Sequence, residues 1–185
     1  MQTGNNTRIS REDGNIIFIT GGARSGKSRY AQQLALSLTD SPVYIATAKI
    51  WDEDFAQRVS RHKAERDERW TNFEEQRNVS KLPVDNRVCI IDCVTLWLSN
   101  FFSDTKRDIE LSLQLFKSEI DALVQKPGVF IIISNETGMG IHAETEIGRK
   151  FTDLQGWANQ YVAAKAAKVI FMISGIPVTI KTNTA

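Results

Sequence analysis

The sequence has little cysteine, no long apolar run and almost no net charge. Among its 185 residues, 23 basic side chains stand against 22 acidic ones, which gives a formal net charge of +1. Because so small a net charge creates no global field, nothing draws the whole chain to nucleic acid or to a membrane surface. Cys89 and Cys93 have no further cysteine partners. We therefore expect packed, reduced thiols rather than a zinc site.

The apolar runs are about as long as β-strands. A membrane-spanning helix needs roughly 20 consecutive apolar residues, and the N-terminus lacks the apolar segment of a signal peptide. We therefore expect a cytoplasmic protein with no membrane span and no nucleic-acid partner. Residues 1–14 are polar and predict a flexible tail. Residues 15–185 have the length of a single domain.

One stretch near the N-terminus organises the rest of the chain. Residues 16–19 form a short apolar run typical of a buried parallel strand. Further on, Tyr30, Leu34 and Leu38 recur at helical spacing. Between strand and helix lies the pattern G-x-x-x-x-G-K-[ST], whose residues are Gly21, Gly22, Ala23, Arg24, Ser25, Gly26, Lys27 and Ser28. This succession predicts a P-loop that binds nucleotide phosphates through all eight residues.

The residue types of this loop suit phosphate and metal chemistry. Gly21 and Gly26 permit backbone angles that let successive N–H groups curl around an anion. Lys27 is the expected catalytic cation at the β- and γ-phosphates, and the Ser28 hydroxyl is the expected ligand of Mg²⁺. A second metal ligand is predicted at Asp92, which closes an apolar run like a Walker B strand. The alternative for Asp92 is a cap of the following helix.

Further apolar runs predict a mostly parallel sheet. The strands are expected at 43–47, 88–92, 129–134, 169–173 and 178–181, with helices at 108–125 and 144–167. Strand, helix and strand in succession imply parallel pairing, whereas the tight turn before the last strand forces an antiparallel edge. The expected fold is therefore α/β with an antiparallel C-terminal edge strand. Ala46, Thr47 and Ala48 would lie at the edge where ligands bind, although these residues alone fit a plain loop.

A polar loop follows the strand at 129–134. Asn135 and Glu136 begin it, and glycines follow at 138 and 140. The loop would lie at the functional edge of the sheet, where it suits substrate recognition or a general base. An ordinary glycine-containing turn is the alternative. The sequence leaves the role of Glu136 open between these interpretations.

The segment 52–69 is the most charged part of the chain and predicts a helix. If that helix continued, Arg66, Trp70 and Glu74 would share one face. The segment contains His62 between basic residues. Histidine is a potential nucleophile, but a histidine in a charged helix is usually a solvated surface residue. The residues alone favour the surface interpretation.

Five blocks of sequence together resemble one enzyme family. They are 20–28, 44–47, 61–63, 135–140 and 173–176. Their order is similar to that in the bifunctional adenosylcobinamide kinase / adenosylcobinamide-phosphate guanylyltransferase family of cobalamin biosynthesis. The resemblance covers nearly everything from residue 15 onward. It implies a three-layer P-loop fold of the RecA type, assembled as a homotrimer.

The resemblance also implies two activities. The first phosphorylates adenosylcobinamide with ATP or GTP, and the second transfers GMP from GTP to adenosylcobinamide phosphate, releasing pyrophosphate. His62 matches the histidine that carries GMP in such proteins. The residues matching the family's guanine-nucleotide contacts are Ala46, Thr47, Ala48, Lys63, Ala64, Glu65, Arg66 and Glu74. Asp92 stands where some members carry glutamate, and either carboxylate can hold Mg²⁺.

Two other functions fit the same P-loop. One is a small-molecule kinase in which His62 is inert. The other is an assembly ATPase of the RecA type, in which hydrolysis drives interaction with a macromolecule. Protein guanylylation by GTP distinguishes the resembled family from the first. Transfer to a corrinoid distinguishes it from the second.

Overall fold

The computed structural model describes residues 15–49, 66–140 and 142–182. The strands there are β1 (Ile16–Gly21), β2 (Val43–Ala46), β3 (Thr71–Glu74), β4 (Arg87–Asp92), β5 (Gly128–Ile133), β6 (Lys168–Ile173) and β7 (Ile176–Thr182). They form one seven-stranded sheet in the order β3-β2-β4-β5-β1-β6-β7. All neighbours pair in parallel except β6 and β7, which are antiparallel. The expected mostly parallel sheet with an antiparallel C-terminal edge is therefore confirmed.

Helices cover both faces of the sheet. They are α1 (Lys27–Leu38), α2 (Val94–Asp104), α3 (Ile109–Gln125) and α4 (Glu146–Lys165), with a 3₁₀ turn at Val79–Lys81. In β1, Ile17 and Ile19 pack in the core on the α1 side. Ile16 and Phe18 pack in the core shared with α2, α3 and α4. Because both faces are covered, the central strands are apolar at nearly every position. None of the helices in the described ranges is long and apolar enough to span a membrane.

Side chains at the helix N-termini explain where α3 and α4 begin. The Asp108 carboxylate accepts a hydrogen bond from the Leu111 amide at 2.9 Å. The Thr145 hydroxyl accepts one from the Gly148 amide at 3.0 Å. Each cap satisfies an amide that has no partner within its helix. Both helices begin within two residues of the start that their apolar spacing predicts.

Two expectations about local structure are wrong. Residues 71–74 form strand β3, so Arg66, Trp70 and Glu74 do not share a helix face. Pairing with β2, in which Ala46 lies opposite Glu74, satisfies the backbone hydrogen-bonding groups of this segment. This pairing prevails over the helical spacing of the three side chains. The apolar spacing of the helix at 144–167 also predicts Trp157 on the apolar side of α4, but Trp157 is 46% exposed. The predicted tail at 1–14 and the predicted helix up to residue 65 lie outside the described residues.

Candidate active site

The predicted P-loop lies between β1 and α1. Gly26 has a φ of +93° and immediately precedes the first residue of α1. Gly21 has a φ of +152°, and a Cβ there would lie 2.5 Å from the Met172 carbonyl oxygen. The loop backbone therefore depends on glycine at both positions. Ala23 and Arg24 are exposed on the loop, whereas Ser25 is buried.

The Lys27 ammonium group is held within the loop itself. Its Nζ donates hydrogen bonds to the carbonyl oxygens of Gly21 at 2.9 Å and Gly22 at 2.6 Å. A third contact reaches the Ser25 hydroxyl at 3.5 Å. Burial lowers the pKa of Lys27, and the negative charge of Asp92 acts in the opposite direction. This buried cation at a helix N-terminus is suited to phosphate recognition.

Two hydroxyl groups donate hydrogen bonds to one carboxylate next to the P-loop. The Ser28 hydroxyl, on α1, donates to Oδ2 of Asp92, on β4, at 3.0 Å. The Tyr44 hydroxyl, on β2, donates to the same oxygen at 2.6 Å. A hydroxyl and a carboxylate are ligands that Mg²⁺ accepts, with phosphates and water completing its coordination. The described residues contain no group of three or more histidine, cysteine or acidic side chains for a metal.

The predicted nucleotide segment after β2 is anchored by its middle residue. Thr47 is buried, and its hydroxyl donates to the Cys93 carbonyl at 2.8 Å. The Asn100 side chain donates to the Thr47 carbonyl at 2.7 Å. Ala46 and Ala48 on either side are partly exposed. In the structure Thr47 therefore fixes the strand end, and its two small neighbours line the edge of the sheet.

The predicted substrate loop lies directly against the P-loop. The Glu136 amide donates to the Gly21 carbonyl at 3.0 Å. The Asn135 side chain donates to the Thr95 hydroxyl on α2 at 3.1 Å. Asn135 and Glu136 thus begin a loop at the same edge of the sheet as Lys27 and Asp92.

A buried polar network supports this loop from behind. Oδ1 of Asn159 accepts hydrogen bonds from Ser134 Oγ at 2.6 Å and from Gln155 Nε2 at 2.9 Å. The Asn159 amide donates to the Asn135 carbonyl at 3.2 Å. Gln155 is fully buried and donates to Ser134 as well, at 2.9 Å. The network joins α4 to the end of β5 and fixes the start of the loop.

Five of the eight residues matched to guanine-nucleotide contacts fall in the described part: Ala46, Thr47 and Ala48 after β2, and Arg66 and Glu74. Arg66 stacks on Tyr44, with its guanidinium carbon 3.7 Å from the ring centroid. Its Nε donates to Asn72 at 2.8 Å, and its Nη1 is buried without a hydrogen-bond partner among the described residues. Glu74 ends β3 opposite Ala46. The expected His62, Lys63, Ala64 and Glu65 lie outside the described residues.

The supporting residues of the site were not identified from sequence. Tyr44 carries a hydroxyl group within an otherwise aliphatic strand, and this polar group is the sequence signal that could have pointed to a role in the site. Gln155 and Asn159 are spaced by four on a helix, and both are buried. From the sequence alone, Asn159 on the predicted helix at 144–167 fits either a solvent-facing position or one directed into a site. The structure places it inside, on the loop that starts at Asn135.

Comparison with known proteins gives a consistent family match. A family model described as cobinamide kinase / cobinamide phosphate guanyltransferase matches residues 17–180. The chain is 35% identical over 181 residues to the bifunctional adenosylcobalamin biosynthesis protein CobU of Escherichia coli K12, covering 90% of this chain and 99% of that protein. It is 34% identical over 169 residues to the bifunctional adenosylcobalamin biosynthesis protein CobP of Pseudomonas aeruginosa, covering 89% and 96%.

Solved structures support the fold. The ATPase EscN of the enteropathogenic E. coli type III secretion system aligns with a TM-score of 0.57 at 13% identity, covering 88% of this chain and 43% of that chain. A prototypical ATPase from the type III secretion system of pathogenic bacteria aligns with a TM-score of 0.55 at 12% identity, covering 91% and 60%. At such identities the likeness concerns the fold alone. It confirms the expected three-layer P-loop α/β architecture.

Proposed function

The chain belongs to the cobinamide kinase / cobinamide phosphate guanyltransferase family, and we propose that it transfers GMP through a covalently guanylylated His62. It is a bifunctional enzyme of cobalamin biosynthesis. In the proposed sequence, adenosylcobinamide is first phosphorylated with ATP or GTP. GMP from GTP is then added to that phosphate, giving adenosylcobinamide-GDP. The convergence of Lys27, Ser28 and Asp92 within one P-loop site carries the nucleotide-binding part of the proposal, and the family resemblance carries the role of His62.

The P-loop residues supply the electrostatic part of both reactions. Phosphoryl transfer depends mainly on positioning and charge neutralisation, so one phosphate site can serve two transfers. Lys27 carries a buried positive charge at the N-terminus of α1. Its role is to stabilise negative charge that develops on the phosphates during transfer. In the kinase step the hydroxyl of adenosylcobinamide attacks the γ-phosphorus, and the nucleoside diphosphate leaves.

The donor set beside Lys27 fits Mg²⁺. Ser28 Oγ and Asp92 Oδ2 lie 3.0 Å apart, and both are hard oxygen ligands. These two residues would hold the ion. When bound, Mg²⁺ neutralises charge on the nucleotide phosphates. We propose that Asn135 and Glu136, on the adjacent loop, contact the corrinoid substrate.

The guanylyl step requires a nucleophile that the P-loop itself does not provide. A neutral imidazole nitrogen of His62 attacks the α-phosphorus of GTP, and the bond between the α-phosphorus and its bridging oxygen breaks to release pyrophosphate. The second ring nitrogen gives up its proton, leaving a phosphoramidate whose imidazole ring is uncharged and whose phosphoryl group keeps one negative charge. A phosphate oxygen of adenosylcobinamide phosphate then attacks the same phosphorus. The P–N bond breaks, and the imidazole regains its proton.

The guanine-nucleotide contacts lie along the β2–β3 margin of the sheet. Within the part of the chain that the structure describes, the buried Nη1 of Arg66 has no hydrogen-bond partner, which suits a phosphate or carbonyl oxygen. Ala46 and Glu74 are opposite each other at the ends of β2 and β3. Lys63, Ala64 and Glu65 complete the set by resemblance. In the sequence, Arg66 follows the proposed nucleophile His62 by four residues.

We also propose a cytoplasmic homotrimer. The resemblance suggests the trimer, and exposed apolar side chains on the β6–β7 edge are available for a subunit contact. Ile173, Ile176 and Ile180 are 50%, 64% and 62% exposed. Light scattering coupled to size-exclusion chromatography measures the assembly directly. A mass of three chains supports the proposal, and a monomer mass contradicts it.

The proposed covalent transfer is tested by a pulse and a chase. The protein is incubated with MgGTP, and its intact mass is measured before and after addition of adenosylcobinamide phosphate. We expect an acid-labile gain of one GMP that disappears on the chase, with adenosylcobinamide-GDP formed in equal amount. Nucleotide binding and kinase activity without any adduct would contradict covalent transfer and favour the small-molecule kinase.

A further inference from the structure

Tyr44 makes three contacts that join two parts of the site. Its hydroxyl donates to Asp92 Oδ2 at 2.6 Å. Its ring lies under the Arg66 guanidinium, 3.7 Å from ring centroid to Cζ. The Trp70 ring meets it edge-on at 6.2 Å between centroids. The side chain of a residue that is only 5% exposed therefore connects a proposed metal ligand with a proposed nucleotide contact.

The hydroxyl of Tyr44 has a role that Ser28 does not share. Both hydroxyls donate to Asp92 Oδ2. Ser28 is itself a proposed metal ligand, and its oxygen is then engaged by the ion. Tyr44 donates without being a ligand, so its hydrogen bond can persist when the metal binds. Groups that hydrogen-bond a ligand in this way orient it and raise its affinity for the metal.

The ring of Tyr44 has a separate role. Arg66 is the first described residue after 50–65. Its guanidinium is fixed by the stack on Tyr44 and by the hydrogen bond from Nε to Asn72 at 2.8 Å. A planar guanidinium over an aromatic face is favourable electrostatically. This arrangement sets the direction of the buried Nη1, which has no hydrogen-bond partner within 15–49, 66–140 and 142–182.

We propose that Tyr44 is a positioning residue with two separable functions. Its hydroxyl orients Asp92 for Mg²⁺, and its ring seats Arg66 for guanylyl transfer. This inference rests on the proposed function. The hydroxyl can be removed while the ring is kept, and the stack can be weakened while the hydroxyl is kept. The two functions therefore predict different phenotypes for different substitutions.

The test compares Tyr44→Phe, Tyr44→Leu and Arg66→Lys with the matched control Tyr161→Phe. Like Tyr44, Tyr161 donates to a carboxylate and lies beside cationic side chains, but it does so between α3 and α4. Two readouts are measured on the full chain. For the first, calorimetry measures GDP affinity at increasing Mg²⁺ concentration, and the readout is the Mg²⁺ concentration that gives half of the gain in affinity (the Mg²⁺ half-point). The other is the yield of acid-labile GMP adduct with GTP at saturating Mg²⁺.

For Tyr44→Phe we expect roughly tenfold more Mg²⁺ at the half-point, with the adduct yield within about twofold of wild type because the ring is kept. For Arg66→Lys we expect an unchanged Mg²⁺ half-point but a lower adduct yield, since lysine keeps the charge but loses the planar stack. Tyr44→Leu should show both defects, and Tyr161→Phe neither.

An unchanged Mg²⁺ half-point in Tyr44→Phe overturns the role of the hydroxyl. Normal adduct yield in Arg66→Lys overturns the role of the stack. Wild-type protein that forms no adduct contradicts the proposed function and removes the Arg66 role with it. The GDP measurement still decides the Asp92 role in that case, so the two failures are distinguishable.

Discussion

The Ser28 hydroxyl donates a hydrogen bond of 3.0 Å to the Asp92 carboxylate. The two residues are 64 positions apart in the sequence and reach each other because β4 ends beside the first turn of α1. This pairing joins the phosphate loop to the acidic end of a neighbouring strand. It defines where a metal-bound nucleotide would lie.

Asp92→Asn removes the negative charge while keeping the size of the side chain. We expect both transferase activities to fall by at least about a hundredfold, because the metal loses its charged ligand. Steady-state rates are measured at saturating nucleotide, with the Mg²⁺ concentration varied over a roughly 10-fold range. The control is Asp104→Asn, whose carboxylate pairs with Arg77 at the surface. Equal losses in the two variants would contradict a metal role for Asp92.

Lys27→Ala removes the buried ammonium group from the phosphate loop. Loss of such a preorganised cation typically lowers kcat by about 10²–10³, and we expect both activities to fall to that extent. The neighbouring Arg29→Ala, which removes an exposed cation of the same helix, should stay near wild type. Kinase and guanylyltransferase rates are measured separately. A loss in one activity alone would show that the two reactions use different phosphate sites.

Gly21→Ala should destabilise the fold, whereas Gly22→Ala should not. A Cβ at Gly21 would lie 2.5 Å from the Met172 carbonyl at a φ of +152°, and a Cβ at Gly22 meets nothing within 4 Å. Backbone strain and overpacking together predict a loss of about 3 kcal/mol for Gly21→Ala. Urea unfolding measures the difference. Similar unfolding free energies for the two variants would be inconsistent with the described loop geometry.

Asn159→Ala should loosen the loop that carries Asn135 and Glu136. The change leaves Ser134 and Gln155 without a shared acceptor, which costs about 1–3 kcal/mol of stability. We expect KM for adenosylcobinamide to rise while affinity for GDP stays unchanged. The adjacent, exposed Gln160→Ala serves as the control. Unchanged KM in Asn159→Ala, despite the stability loss, would separate the network from substrate binding.

The two cysteines should be unreactive in the folded protein. Burial raises the pKa of both Cys89 and Cys93 to about 12. At pH 8 the native thiols are therefore protonated and shielded, whereas an unfolded cysteine, with a pKa of about 8.5, is partly ionised. Titration with a thiol-reactive dye should count no thiols before unfolding in urea and two afterwards. Rapid labelling of the native protein would contradict the described burial.

The sheet and the phosphate loop were predictable because their signals are local. Apolar runs closed by a glycine-rich turn or an acid fix a buried parallel strand and its functional end. Strand β3 was not predictable in the same way. Residues 71–74 are mostly exposed, so they carry no apolar period. Their strand conformation depends on pairing with β2, which is a long-range contact that spacing does not encode.

The supporting residues of the site depend on the same kind of contact. The Tyr44 hydroxyl, on β2, donates a hydrogen bond to Asp92 on the neighbouring strand β4. The Asn159 side chain, on α4, donates one to the Asn135 carbonyl. Neither partner is visible from spacing along the chain. The assignment of His62 rests on the family resemblance, since its residue environment alone favours a surface position.

One comparison tests directly whether His62 carries GMP from GTP to adenosylcobinamide phosphate. His142 is the second of the two histidines in the sequence, so His62→Ala and His142→Ala form a matched pair. Each variant is incubated with MgGTP, its intact mass is measured, and its phosphorylation of adenosylcobinamide is assayed in parallel. We predict that His62→Ala keeps the kinase activity but gains no GMP, while His142→Ala gains GMP like wild type. A GMP adduct that persists in His62→Ala would contradict the role of His62 as the nucleophile.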